Sequence, residues 1–206
     1  MLILRKACLV YLANPKTASQ AIRAMLGPHA ERPEEARAKP HMNAGAYGRH
    51  WAARVTADLG KRPETLAVMR DPMDHMQSWF RYRQRDALLG HRNSTAGISF
   101  AQFVEDRLSD TPPPHAVIGR QDRFLGFIDG GPPVTHVFDY ARLDLLVDFL
   151  QDRLGVALDL GMRNVSPRSG SASDLPEGLA ARYRRAHRTE IALYELVAEK
   201  GHLITA

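Results

Sequence analysis

The reading of this chain turns on one stretch, Ala7-Cys8-Leu9-Val10-Tyr11-Leu12-Ala13-Asn14-Pro15-Lys16-Thr17-Ala18-Ser19-Gln20. Its first seven residues are apolar without alternation, the pattern of a strand covered on both faces, as in a parallel sheet. Asn14-Pro15-Lys16 ends the run, and Ala18–Leu26 then follows with helical spacing until Gly27-Pro28 stops it. A strand that passes through a short loop into a helix presents backbone N–H groups and a positive helix end, which together attract an anion. Lys16 adds a mobile charge, and Thr17 and Ser19 add hydroxyl donors. A nucleotide kinase is disfavoured, because a Walker A loop needs GxxxxGK[ST] and no glycine lies just upstream of Lys16.

Two further apolar runs, Thr65–Met69 and Val134–Phe138, read as buried strands. Helical patterns are expected over Ala46–Leu59, from Asp71-Pro72 onward, and over Phe100–Leu108, Arg142–Leu154 and Leu179–Lys200. Asp71 is a good N-cap, and proline is tolerated at the first helical position. The loops are marked by Pro and Gly at His29–His41, Gly90–Ser99, Thr111–His115, Gly130–Pro133 and Ser166–Pro176. Strands alternating with helices predict an α/β layer fold with a parallel sheet.

With 206 residues the chain suits one domain spanning 1–206, and its 44% hydrophobic and 25% charged content is globular rather than disordered. No apolar run approaches a membrane span. Met1–Ala13 has two basic residues ahead of an apolar stretch, but Asn14-Pro15-Lys16 is a poor cleavage site, so a first strand and a cytoplasmic location are expected. Cys8 is the single cysteine, which rules out an internal disulfide and reads as an inert core thiol. The nine histidines lack ligand-type spacing, so no metal is expected. The net charge of +5 suits nucleic acid, a polyanionic cofactor or an acidic acceptor, yet bias toward Ala and Arg produces the same balance, so charge selects no partner.

The second chemical feature is Leu66-Ala67-Val68-Met69-Arg70-Asp71-Pro72, with Ser78 and Trp79 beyond it. Arg70 is expected at the carboxyl end of its strand, beside the end of the first strand, where open parallel sheets bind ligands. Arginine grips phosphate through two parallel hydrogen bonds, and Ser78 offers a hydroxyl two turns into the following helix.

Together the two segments resemble the sulfotransferases that use 3′-phosphoadenosine-5′-phosphosulfate (PAPS), in particular the branch that includes heparan sulfate 2-O-sulfotransferase and bacterial relatives. The first loop of that family reads approximately PKTAGTS or PKTASTS, and here it is Pro15-Lys16-Thr17-Ala18-Ser19-Gln20-Ala21. The second family motif is a strand ending in RDP or RNP with a serine eight residues after the arginine, matched by Arg70, Asp71, Pro72 and Ser78. Gln121-Asp122-Arg123-Phe124-Leu125, Val137-Phe138-Asp139-Tyr140 and Tyr194 echo later segments, so the likeness runs through most of the chain in order.

The resemblance implies a P-loop-like three-layer fold, a central parallel β-sheet flanked by helices. It implies that Pro15, Lys16, Thr17, Ala18, Ser19 and Gln20 bind the 5′-phosphosulfate, that Arg70 and Ser78 bind the 3′-phosphate, and that a late loop carrying Asn164 and Arg168 closes over the donor and brings Arg168 to the 3′-phosphate. The implied reaction carries the sulfuryl group to a hydroxyl acceptor and releases 3′-phosphoadenosine-5′-phosphate (PAP) without a metal. Gln20-Ala21 departs from the family's Thr-Ser, which motivates the alternative of a catalytically impaired PAP-binding protein.

Sulfuryl transfer needs a base for the acceptor hydroxyl, and histidine suits that task near neutral pH. His41, in Lys39-Pro40-His41-Met42-Asn43, occupies the position where this branch of the family carries a histidine ahead of a helix, and His50 is the runner-up. Lys16 is the second catalytic candidate, through charge stabilisation. Arg81, Arg83 and Arg85, and Arg182, Arg184, Arg185 and Arg188, read as solvated helical faces or as docking for an acidic acceptor. Carbohydrate, lipid-linked sugar, small alcohol and peptide tyrosine all fit as acceptors, with a small or terminal one favoured by the short chain. No nucleic-acid-binding signature is present.

Overall fold

The computed structural model describes residues 1–33, 41–128, 132–161 and 175–205. These fall into two compact units, one formed by 1–33, 41–70, 121–128, 132–161 and 193–205, the other by 71–120 and 175–192.

The first unit holds a five-stranded sheet in the order β1-β2-β3-β4-β5, with β1 Leu2–Leu4, β2 Leu9–Tyr11, β3 Glu64–Met69, β4 His136–Asp139 and β5 His202–Ile204. The three central strands are parallel, and each edge strand pairs antiparallel. The sheet is therefore mixed, and the wholly parallel sheet expected from sequence holds only for its centre. Both edge strands are three residues long, too short for a periodic signal. The run expected as one strand from Ala7 to Ala13 pairs only from Leu9, because Cys8 adopts a left-handed φ of 51° that closes the turn from β1. Arg5 on that turn ties down two neighbours, donating to Glu31 at 2.8 Å and to Asp58 at 2.7 Å.

Alternation along the strands sorts the core. Val10, Leu12, Ala67, Met69 and Val137 join one cluster with Tyr47, Val55, Leu193 and Val197, which come from α2 (Ala44–His50), α3 (Ala52–Leu59) and α9 (Arg188–Lys200). Leu9, Tyr11, Leu66, Val68 and Phe138 join the other with Ile22, Leu26, Leu146 and Leu150, from α1 (Ser19–Leu26) and α7 (Leu143–Leu154). Helices thus cover both faces, which explains why the central strands read as continuous apolar runs. The Ala46–Leu59 helix expected from sequence is two helices that meet at Trp51, whose φ of −131° breaks the helical path.

The second unit contains α4 (Pro72–Arg83), α5 (Phe100–Leu108) and α8 (Glu177–Ala186), packed through Met76, Phe103, Val104, Leu179 and Tyr183. Asp71 caps α4 as expected, accepting from the N–H groups of Met73 and Asp74, both at 2.9 Å. The single helix expected over Leu179–Lys200 is split at His187, whose ring stacks on Tyr183 at 4.2 Å and whose Nδ1 donates to the Tyr183 carbonyl at 3.2 Å. Arg83 lies on neither a solvated nor an acceptor-facing surface. It is buried and donates to the carbonyls of Pro114, His115 and Val117, closing that loop. Among the described residues no helix is long and apolar enough to cross a membrane.

The β4–β5 pairing brings His136 Nδ1 to 3.0 Å from His202 Nε2, while His136 Nε2 lies 3.4 Å from Glu64, which in turn binds Arg153 at 2.6 Å. Burial and then the positive charge of His136 push His202 down to about 4. The unfolded chain therefore binds a proton that the folded ring refuses below about pH 6.5, so stability falls with acidification. Urea unfolding is expected to show lower stability at pH 5 than at pH 7, and His202→Phe is expected to flatten that slope; an unchanged slope contradicts the assignment.

Candidate functional site

At the carboxyl end of β2 the chain enters the loop Asn14–Ala18, where Lys16 (φ 64°) and Ala18 (φ 56°) are left-handed and Thr17 between them is not. Such alternation of handedness turns successive backbone N–H groups toward one concavity, the geometry of an anion nest. Each left-handed non-glycine residue costs about 1–2 kcal/mol, so the loop holds strain of the kind that clusters at functional sites. Ser19 begins α1 with its N–H at the positive helix end.

The side chains of the loop divide into internal and outward roles. Thr17 is fully buried and donates its hydroxyl to the Asn14 carbonyl at 2.9 Å. That bond spends the hydroxyl proton which sequence reasoning assigned to an anion; only the Thr17 backbone N–H remains for that purpose. Ser19 is buried, Pro15 and Lys16 are half-buried, and Gln20 is exposed.

Arg70 follows the last residue of β3 and is itself buried. Its guanidinium lies over the Tyr140 ring at 4.4 Å, and its Nη1 donates to the Lys16 carbonyl at 3.4 Å. The expected adjacency of Arg70 to the first loop is present. Tyr140, directly after β4, went unrecognised in the sequence as the platform beneath Arg70, because no local pattern links residues 70 apart.

Two buried amides complete this end of the sheet. Asn14 Nδ2 donates to the Val68 carbonyl at 2.9 Å and to Gln121 Oε1 at 3.1 Å. Gln121 Oε1 also accepts from the Arg70 N–H at 3.0 Å, and its Nε2 donates to the Arg70 carbonyl at 2.8 Å. Gln121 heads the short helix α6 (Gln121–Phe124).

His41 lies against the same strand end, its Nδ1 2.8 Å from the Ala13 carbonyl. A carbonyl only accepts, so Nδ1 carries the proton and Nε2 carries the lone pair. Its pKa lies below the ordinary imidazole value, first through desolvation and then through the positive charges of Arg23, the terminal amine and Lys16, against the opposing bond to Ala13. The surroundings are electropositive more widely: burial, Arg23 and Arg32 push the Met1 amine down to about 6.

His50, the runner-up base, ends α2 and is exposed. Ser78 lies half-buried on α4 in the second unit, where Trp79 packs edge-on to Tyr82 at 5.8 Å and receives the Arg83 guanidinium at 5.2 Å. Arg182, Arg184, Arg185 and Arg188 are exposed, with Arg182 3.9 Å from Glu105. Arg168 and Asn164 lie outside the described residues.

No protein-family model, curated protein or solved structure matches the chain.

Glycine enters the left-handed region without the Cβ clash but raises the entropy of the unfolded chain. Lys16→Gly and Ala18→Gly are therefore each expected to stabilise the fold by roughly 0.5–1 kcal/mol in urea unfolding. Destabilisation by either change contradicts strain in the loop.

Proposed function

We propose that this chain is a sulfotransferase that binds PAPS and carries its sulfuryl group to a hydroxyl acceptor. The observation that carries the reading is the convergence, at the carboxyl ends of the adjacent parallel strands β2 and β3, of the nest-like Lys16 loop, the Arg70 guanidinium and the His41 imidazole. The motif resemblance of Pro15–Gln20 and of Arg70 with Ser78 supplies the identity of the donor. The parallel centre of the sheet, with helices on both faces, is compatible with a P-loop-like fold.

In this reading the N–H groups of Thr17, Ala18 and Ser19 bind the 5′-phosphosulfate, and Arg70 binds the 3′-phosphate. His41 Nε2 accepts the proton of the acceptor hydroxyl as its oxygen bonds to sulfur and the sulfur–oxygen bond to the 5′-phosphate breaks. Lys16 stabilises the charge that gathers on the departing phosphate oxygen, a contribution of position and electrostatics rather than covalent chemistry. The Ala13 carbonyl holds the Nδ1 proton and supports the imidazolium that forms. A carbohydrate or small alcohol is the acceptor class proposed.

PAP without metal is expected to raise the melting temperature well above the effect of ATP with Mg²⁺, and equal effects would contradict the donor assignment. His41→Ala is expected to lower turnover about 10²–10⁴-fold while sparing PAP affinity. Because the base must be neutral and its pKa is depressed, the acid limb of the rate profile is expected below about pH 6.5. PAP binding with no transfer to any hydroxyl acceptor would favour the catalytically impaired alternative, toward which the committed Thr17 hydroxyl and the exposed Gln20 point.

A further inference from the structure

The ladder between β2 and β3 does not stop where their backbones part. The last backbone bond there is Leu12 N–H to the Leu66 carbonyl at 2.9 Å, and beyond it Asn14 Nδ2 reaches the Val68 carbonyl at 2.9 Å. On the other side, β3 and β4 pair through Met69 and Asp139, one residue short of Arg70. Arg70 thus has a buried backbone N–H and carbonyl beyond the end of the ladder, and such groups require partners. The Gln121 side-chain amide bonds both of them, as a neighbouring strand would, and its oxygen also takes the second Asn14 proton. Asn14 and Gln121 are each 1% exposed, so the network exchanges no partner with solvent.

We propose that Gln121 is a positioning residue that sets the selectivity of the site for a nucleotide phosphorylated at both its 3′ and 5′ positions. It touches neither phosphate. By fixing the Arg70 backbone on both polar groups and tying it to Asn14, it fixes where the guanidinium stands relative to the Lys16 loop. Tyr140 supplies a face beneath that guanidinium and the Lys16 carbonyl accepts from Nη1 at 3.4 Å, while the amide bonds hold the backbone from which the side chain departs. The proposal rests on the donor assignment made above.

The test has two arms. In ligand-free protein, Gln121→Met is expected to speed amide exchange at Arg70 at least tenfold while β2 and β4 amides keep their protection; unchanged exchange at Arg70 would overturn the latch whatever the nucleotide. In calorimetric titrations, wild-type protein is expected to bind PAP more tightly than adenosine 5′-monophosphate, and Gln121→Met to shrink that preference at least tenfold while holding the monophosphate affinity. A purely structural role would weaken both ligands alike, and that result overturns the proposal. Absence of any PAP preference in the wild-type protein would sink the donor assignment instead, with the exchange arm still deciding the latch. Should Gln121→Met fail to fold, Asn14→Ala keeps the Gln121 bonds to Arg70 and removes the Asn14 side-chain bonds to Gln121 and to the Val68 carbonyl. Faster exchange at Lys16–Ser19 and a reduced PAP preference support the proposal there, and wild-type behaviour in both overturns it.

Discussion

The parallel pairing of β2 with β3, prolonged past its backbone ladder by the Asn14 and Gln121 amides, is the constraint on which the rest of the molecule's chemistry depends. It aligns two loops whose residues lie more than fifty positions apart in the chain. One loop offers converging N–H groups and a lysine, the other a guanidinium. Low dielectric strengthens each of these buried amide bonds, and the same low dielectric makes the loss of one partner costly. A fully satisfied network at this point therefore specifies geometry as well as stability.

Stability and chemistry pull in opposite directions around that network. Lys16 and Ala18 hold left-handed backbone conformations that glycine would adopt with less strain. Desolvation first, and then like-charge repulsion among Arg23, Arg32, Lys16 and the Met1 amine, lower the proton affinity of the amine, Arg23 and His41. An anionic ligand relieves that repulsion, so the unfavourable electrostatics of the ligand-free protein become part of the binding energy for a phosphorylated one. The depressed pKa of His41, set first by desolvation and then by the same field, favours an Nε2 lone pair near neutral pH.

The central strands were legible because burial on both faces leaves continuous apolar runs, as in Leu66–Met69, and the Asp71-Pro72 helix start was legible because its capping is local. The edge strands were not, since three residues carry no period and the β1–β2 turn rests on Cys8 in a conformation rarely chosen by a residue of that type. Lys16, Arg70 and His41 could be singled out from residue type and motif, and the structure brings all three to one end of the sheet. Thr17 shows the limit of that reasoning: its hydroxyl looked like a ligand donor, yet it closes its own loop onto Asn14. Tyr140 and Gln121 stood out only within family-like segments, and their contacts with Arg70 were not legible because it lies 70 and 51 positions away.

The central claim is that the Lys16 loop and Arg70 together hold the two phosphates of a single nucleotide. Proton–nitrogen correlation spectra recorded during titration with PAP read it residue by residue. Saturable displacement of the amide signals of Lys16, Thr17, Ala18 and Ser19 together with that of Arg70 is expected, with a much smaller Arg70 shift for adenosine 5′-monophosphate. Saturation by PAP with those signals unmoved, or no saturation at all, would contradict it.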